Sequence, residues 1–224
     1  MLFNKLPEMR DKDGERLKRL ILKREVLENH KQYLKRKKLY QSYGFDIDKE
    51  REFVLDKSEP LFGDILEVGT GKGHFAIILA GEGYKFTSVD VSEEEQDIAR
   101  LNLQYFGLED SVDLKIENAE HLSFEDKSFD IIFSINTVHH FENPLKVMDE
   151  LVRILSFEGK IVLSDFTRDG FGILDKVHAA EGRIHEKAKF SLRDIEEYLG
   201  RKGFKIDRYE SKFQEMCTAY KPII

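Results

Sequence analysis

Three groups of side chains in this sequence are spaced for chemistry. The first is the alternating glycine set Gly69-Thr70-Gly71-Lys72-Gly73, which follows the apolar run Ile65-Leu66-Glu67-Val68 and passes directly into His74-Phe75-Ala76-Ile77-Ile78-Leu79-Ala80. Glycine has no Cβ, so such a turn can take positive φ and let a ligand lie against the backbone at the first turn of a helix. The second is a pair of acids, Glu67 near the end of that first run and Asp90 at the end of the next, Lys85-Phe86-Thr87-Ser88-Val89-Asp90. A carboxylate at the tip of the second strand of a doubly wound sheet is placed to accept from two ribose hydroxyls, which implies a ligand containing a nucleoside. The third is His139-His140, beyond a later apolar run. Imidazole titrates near working pH and suits proton abstraction; the alternative for either ring is to shape its turn.

Glu67 to Gly73 resembles the E/D-x-G-x-G-x-G signature of class I S-adenosylmethionine-dependent methyltransferases, and Asp90 stands where that family keeps its ribose acid. The dinucleotide pattern G-x-G-x-x-G would need a glycine where His74 stands. The segment Asn118-Ala119-Glu120-His121-Leu122-Ser123-Phe124 looks like the family's D-A/x-x-L-P-F stretch, whose leading residue accepts from the adenine amino group. Asn118 replaces the usual acid, and its side-chain oxygen can still accept. The resemblance implies S-adenosylmethionine as cofactor, held by Glu67, Gly69, Thr70, Gly71, Gly73, Asp90, Val91, Asn118, Ala119 and Asn136, with His139 and His140 as candidate bases. It covers residues from about 62 to 220 and implies transfer of a methyl group to a small-molecule acceptor. A transfer RNA or protein methyltransferase, or a non-catalytic cofactor-binding module, is the alternative.

The elements that must position these groups follow from periodicity. Residues 1–58 read as a helical appendage, with Leu17, Leu20, Ile21, Leu27 and Leu34 near one face, a stop at Gly44 and a short helix over 48–57. Tyr40 and Tyr43 read as aromatic packing, with a reach to the cofactor's carboxylate as the alternative. From residue 59 to 224, strand and helix patterns alternate, which predicts an α/β domain, a Rossmann-like doubly wound sheet of seven mostly parallel strands. Ser92 with Glu95 reads as a capping box, and Ile98, Leu101 and Tyr105 continue that helix. Strands are expected over 112–117, 129–135 and 159–165, and Asn143-Pro144 opens a helix carrying Leu145, Met148, Leu151, Val152 and Leu155. The segment 153–159 resembles the family's R-x-L-K-P-G-G turn, and 166–190 reads as irregular and polar. Ser191 caps a further helix, after which 204–209 and 213–220 form an antiparallel hairpin matching the family's reversed last strand.

Asp165, His178 and His185, with Cys217 possible nearby from the last strand, carry ligand types that a divalent metal accepts. The spacing of seven between the histidines matches no standard zinc signature. The three are therefore read as acceptor-pocket residues, and no metal is expected.

Composition excludes several classes. With 224 residues the chain suits one well-cored domain plus an appendage, and one cysteine rules out an internal disulfide. No apolar run approaches a membrane span and residues 1–10 lack a secretory core, so a cytoplasmic protein is expected. The formal charge of -7 argues against general nucleic-acid affinity, yet ten basic residues against two acids between Arg16 and Lys38 keep transfer RNA open as a partner. A homodimer is also left open. No N/D-P-P-Y/F follows the fourth strand, Cys217 lies too late to be a cytosine-attacking nucleophile, and no paired-glutamate loop for arginine methylation is present.

Overall fold

The computed structural model describes residues 11–182 and 190–222. Chain order is α1 (Asp11–Ser42), α2 (Ile47–Ser58), β1 (Ile65–Val68), α3 (His74–Gly81), β2 (Phe86–Asp90), α4 (Glu93–Phe106), β3 (Val112–Ile116), β4 (Phe129–Ile135), α5 (Pro144–Ile154), β5 (Leu155–Phe166), α6 (Arg168–Ala180), α7 (Leu192–Arg201), β6 (Lys205–Glu210) and β7 (Gln214–Tyr220). One sheet results, ordered β3-β2-β1-β4-β5-β7-β6, in which β7 alone runs antiparallel to its neighbours. Sequential strands run outward from β1 to β3 and then reverse at β4. Ligand-binding crevices open beyond the carboxyl ends of strands at such a switch point.

Helices cover both faces. On one, Val147, Met148 and Leu151 of α5 and Leu192, Ile195 and Leu199 of α7 pack on Ile132, Ile161 and Leu163. On the other, Val54 and Leu55 of α2 and Phe75, Ala76 and Leu79 of α3 pack on Ile131 and Phe133. Thus α2 belongs to the domain's own core. The far longer α1 lies on α4, where Asn29 Nδ2 donates to Asn102 Oδ1 at 2.8 Å and His30 stacks on Tyr105 with centroids 3.4 Å apart. A third cluster, of Tyr40, Phe45, Ile47, Phe166, Ile173, Leu174, Val177 and Phe213, ties the α1–α2 turn to α6 above the ends of the strands.

The helix ends follow their local chemistry. The Ser92 hydroxyl accepts from Glu95 N at 3.2 Å, while the Glu95 carboxylate turns away to Lys72, so half of the expected capping box forms. Ser191 and Asp194 complete a capping box at α7. Gly44 takes φ +84° where α1 has ended, as its position suggested.

Two readings of the sequence need correction. The segment after β5 is not irregular throughout: α6 occupies Arg168–Ala180, capped by the Thr167 hydroxyl and burying Ile173, Leu174 and Val177. Gly170 and Gly172 disguised it as loop. A Cβ on Gly170 would collide with the Phe213 carbonyl oxygen, so glycine there allows close helix packing and does not break the helix. Leu155 lies outside α5. The helix ends at Ile154, and Leu155 pairs with Phe129 to begin a long β5, so the expected turn over 153–159 is largely strand with a register shift in β4.

Candidate functional site

The glycine turn leaves β1 with Gly69 N and Thr70 N both donating to Val89 O, at 2.8 and 3.1 Å. Gly69, Gly71 and Gly73 take φ of +91°, +50° and +76°. Their roles differ. A side chain at Gly69 would overlap Thr137, and one at Gly73 would press on Ala99 Cβ at 3.1 Å. Gly69 therefore permits close approach of the loop after β4, and Gly73, at the N-cap of α3, lies behind the turn against α4. A Cβ on Gly71 would meet nothing within 4 Å, and Gly71 lines the cavity.

Asp90 holds this turn from the side. Its Oδ2 accepts from Gly71 N at 2.8 Å and its Oδ1 from Ser92 N at 2.9 Å, and each oxygen retains a further lone pair for a ligand. Glu67 is buried and accepts from the Ser88 hydroxyl at 2.5 Å, with Ser88 linked to Thr70 Oγ1 at 2.6 Å. Burial pushes the Glu67 carboxyl up to about 8, helped by the charge of Asp90 and opposed by the Ser88 hydrogen bond and Arg51. The hydroxyl of Thr70 also accepts from Gln96 Nε2 at 3.0 Å. Thr70 and Glu67 thus brace the turn through their side chains.

A cavity of about 670 Å³ opens over these strand ends. It collects Glu67, Gly69, Thr70, Gly71, Asp90, Val91, Asn118, Ala119, Asn136, His139, His140 and His178. Gly73 and Asp165 are not in its lining, and His185 lies outside the described residues. Val91 is 71% exposed, an apolar face at the mouth. Asn118 Oδ1 accepts from Glu120 N at 2.9 Å, which fixes the loop after β3. Asn136 takes φ +55°, a left-handed conformation that asparagine tolerates.

His139 is the most constrained ring in the site. Its Nδ1 lies 2.7 Å from Asp165 Oδ1, its backbone N donates to Asp165 Oδ2 at 3.1 Å, and both side chains are almost wholly buried. Of the expected acceptor-pocket residues, His178 lines the cavity, while Asp165 stands behind His139 and forms a dyad with it. The ring of His140 lies against that of His139, tilted by 47° with centroids 4.0 Å apart. Cys217 is paired in register with Leu163 and sits in the core under α7, where burial raises its thiol well above the usual range. The described residues hold no group of three His, Cys, Asp or Glu able to bind a metal.

Arg51 was missed by the sequence reading. It projects from α2 into the cavity, is 9% exposed, and makes no ion pair among the described residues. Its Nη1 donates to Gln214 Oε1 at 3.3 Å, and with the Asn136 amide turned to face it, both terminal nitrogens donate to Asn136 Oδ1 at 2.9 Å. Burial lowers its pKa against the pull of Tyr40, Glu50, Glu67 and Asp165. His74, at the start of α3, is held neutral, its pKa lowered to about 3 by burial and then by Arg51, Arg36 and nearby lysines. The cavity therefore has a positive wall on its α1–α2 side.

A switch-point crevice, a glycine turn and an acid at the tip of β2 define a Rossmann-like α/β protein of methyltransferase architecture. Comparison with known proteins agrees. A family described as a methyltransferase domain matches residues 66–163. The chain is 33% identical over 156 residues to the uncharacterized protein MJ1123 of Methanocaldococcus jannaschii, covering 67% of this chain and 69% of that one. It is 34% identical over 137 residues to the methyltransferase GfsG of Streptomyces halstedii, covering 60% of this chain but 49% of the relative, so it spans about half the length of that protein. In structure it is similar to the PH0226 protein of Pyrococcus horikoshii, with TM-score 0.64, 22% identity, and coverage of 78% and 89%. The chain belongs to the class I S-adenosylmethionine-dependent methyltransferases.

Proposed function

We propose that the protein transfers a methyl group from S-adenosylmethionine to a small-molecule acceptor. The observation that carries this is the cavity's continuity. One space of about 670 Å³ runs from Asp90 and Val91, past the open face of Gly71, to His139 and the aromatic cluster under α6. The residues fit the cofactor: a carboxylate for ribose at Asp90, a turn with no side chain at Gly71, and a buried guanidinium at Arg51 in want of an anion, which the cofactor's amino-acid carboxylate supplies. Asn118 and Ala119 flank the base end, and Glu67, Thr70 and Gly73 hold the turn in shape.

Bound there, S-adenosylmethionine supplies a methyl group already activated by its sulfonium, which passes to the acceptor as the C–S electron pair stays on sulfur. The chain's own work is alignment and proton removal. Enclosure by α1, α2 and α6 limits water at the acceptor end, and His139 is placed to take the acceptor's proton. Among relatives, ubiquinone biosynthesis O-methyltransferase of Klebsiella pneumoniae, 29% identical over 131 residues, acts on a small molecule by its name. The test is incubation with methyl-labelled cofactor and either a small-molecule acceptor panel or bulk transfer RNA. Label in a small product supports the proposal; label in RNA alone contradicts it.

A further inference from the structure

We propose that the outer half of α1 is a docking groove for an acidic, amphipathic helix of a partner protein. The inference goes beyond methyl transfer and does not depend on it. Two observations carry it. The first is an uncovered apolar seam: Leu20, Leu27 and Leu34 fall every seventh residue and are 57%, 46% and 41% exposed. Seven residues are close to two helical turns, so the three share one face. Leu20 and Leu27 line a groove of about 400 Å³ with the half-exposed Tyr105 of α4. The groove is preformed, because His30 in its wall stacks on Tyr105 and Asn29 is tied to Asn102. Apolar surface left open in this way marks a site of interaction.

The second is charge. Lys23, Arg24 and Lys31 rim the same groove, and Glu28 is the one carboxylate in its lining. Lys31 Nζ donates to Glu28 at 2.7 Å, an exposed pair that a competing acid displaces at small cost. Arg24, Lys31 and Lys38 each stand four residues after a seam leucine, so exposed cations run alongside the apolar line. From Arg16 to Lys38 there are ten basic residues against two acids, in a chain whose formal charge is -7. Charge complementarity therefore selects an acidic partner.

Among acidic partners, a helix matches both observations at once. In a two-helix seam, leucines at heptad spacing meet leucines of the other helix, and flanking lysine or arginine meets glutamate. A lipid surface calls for cations on the face opposite the apolar one, whereas Arg24, Lys31 and Lys38 lie among the leucines. The phosphates of a nucleic acid would pair with the cations and leave the leucines in water. The α1 of a second copy carries the same positive charge and repels.

The test is calorimetric titration of the full chain with a synthetic four-heptad peptide that has leucine at the first and fourth position of each heptad and glutamate beside them. Its lysine-for-glutamate counterpart and polyglutamate are the controls. The acidic peptide should bind at micromolar concentration, polyglutamate at least tenfold more weakly because it has no leucines, and the lysine peptide not at all. The double variant Leu20→Glu/Leu27→Glu should lose at least tenfold in affinity for the acidic peptide with its circular dichroism unchanged, since both side chains are exposed. The double variant Arg24→Glu/Lys31→Glu should lose the acidic peptide and gain the lysine peptide, an exchange that a merely misfolded protein does not show. No binding of the acidic peptide, or equal affinity for polyglutamate, would overturn the inference. So would phosphatidylglycerol vesicles or bulk transfer RNA binding more tightly than the peptide and being lost in the leucine variant, or a dimer in sedimentation that the leucine variant dissociates. Those results would assign the groove to a membrane, a nucleic acid or a second copy of the chain.

Discussion

A buried guanidinium with no carboxylate in direct contact is costly unless a ligand completes its hydrogen bonds. Among the described residues Arg51 hydrogen-bonds only to the amides of Gln214 and Asn136, with the carboxyls of Glu50, Glu67 and Asp165 near enough to attract it but not in ion-pair contact. If the cofactor's carboxylate is its missing partner, Arg51→Met should weaken S-adenosylhomocysteine binding about tenfold or more while leaving 5′-methylthioadenosine, which has no carboxylate, unaffected. Calorimetry on both ligands decides it, and equal losses for the two would assign Arg51 a structural role. The other site residues were legible because they belong to short patterns: three glycines, an acid 19 residues beyond Gly71, a histidine pair after a strand. Arg51 was not. It is one of 36 basic residues, and only the packing of α2 on β7 and the strand ends shows that this one is buried.

At the scale of elements, the site depends on a roof assembled from distant segments. Phe45, 1% exposed in the α1–α2 turn, touches Tyr40, Phe166 and Phe213, whose side chains come from α1, β5 and the start of the last hairpin strand. Phe45→Ala should cost about 3–5 kcal/mol, because the ring's transfer energy is lost and rigid neighbours leave a cavity. Urea denaturation checks this; a loss under about 1 kcal/mol would mean that the roof closes over the gap. Sequence periodicity revealed the sheet and its flanking helices because β1, β4 and the second half of β5 are mostly apolar and α5 and α7 carry clean stripes. It missed α6 because Gly170, required by close approach to Phe213, looks the same in sequence as a loop glycine. It also set α2 apart from the domain, although Val54 and Leu55 are wholly or nearly buried in the same core as β4.

At the scale of the whole molecule, the braced turn makes stability sensitive to pH. Folded Glu67 keeps its proton up to about pH 8, whereas the unfolded chain releases it near 4.5. Folding therefore binds a proton between those values, and stability falls as pH rises across that window. Glu67→Gln does not titrate, so its denaturation midpoint should decline less than that of the wild type between pH 5 and pH 8. A parallel decline in both would show that Glu67 ionises normally in the fold. Charge is divided as unevenly as stability: α1 carries most of a strongly basic stretch while the chain as a whole is at -7, and no described helix is long and apolar enough to cross a membrane. Every one of these features serves the account only if the crevice holds the nucleoside of the cofactor. The most direct measurement is calorimetric titration of wild type and Asp90→Ala with S-adenosylhomocysteine. Micromolar binding by the wild type, weakened at least tenfold in Asp90→Ala, is the result predicted from a ribose held by that carboxylate. No binding by wild-type protein that circular dichroism shows to be folded, or equal affinity in both proteins, would contradict it.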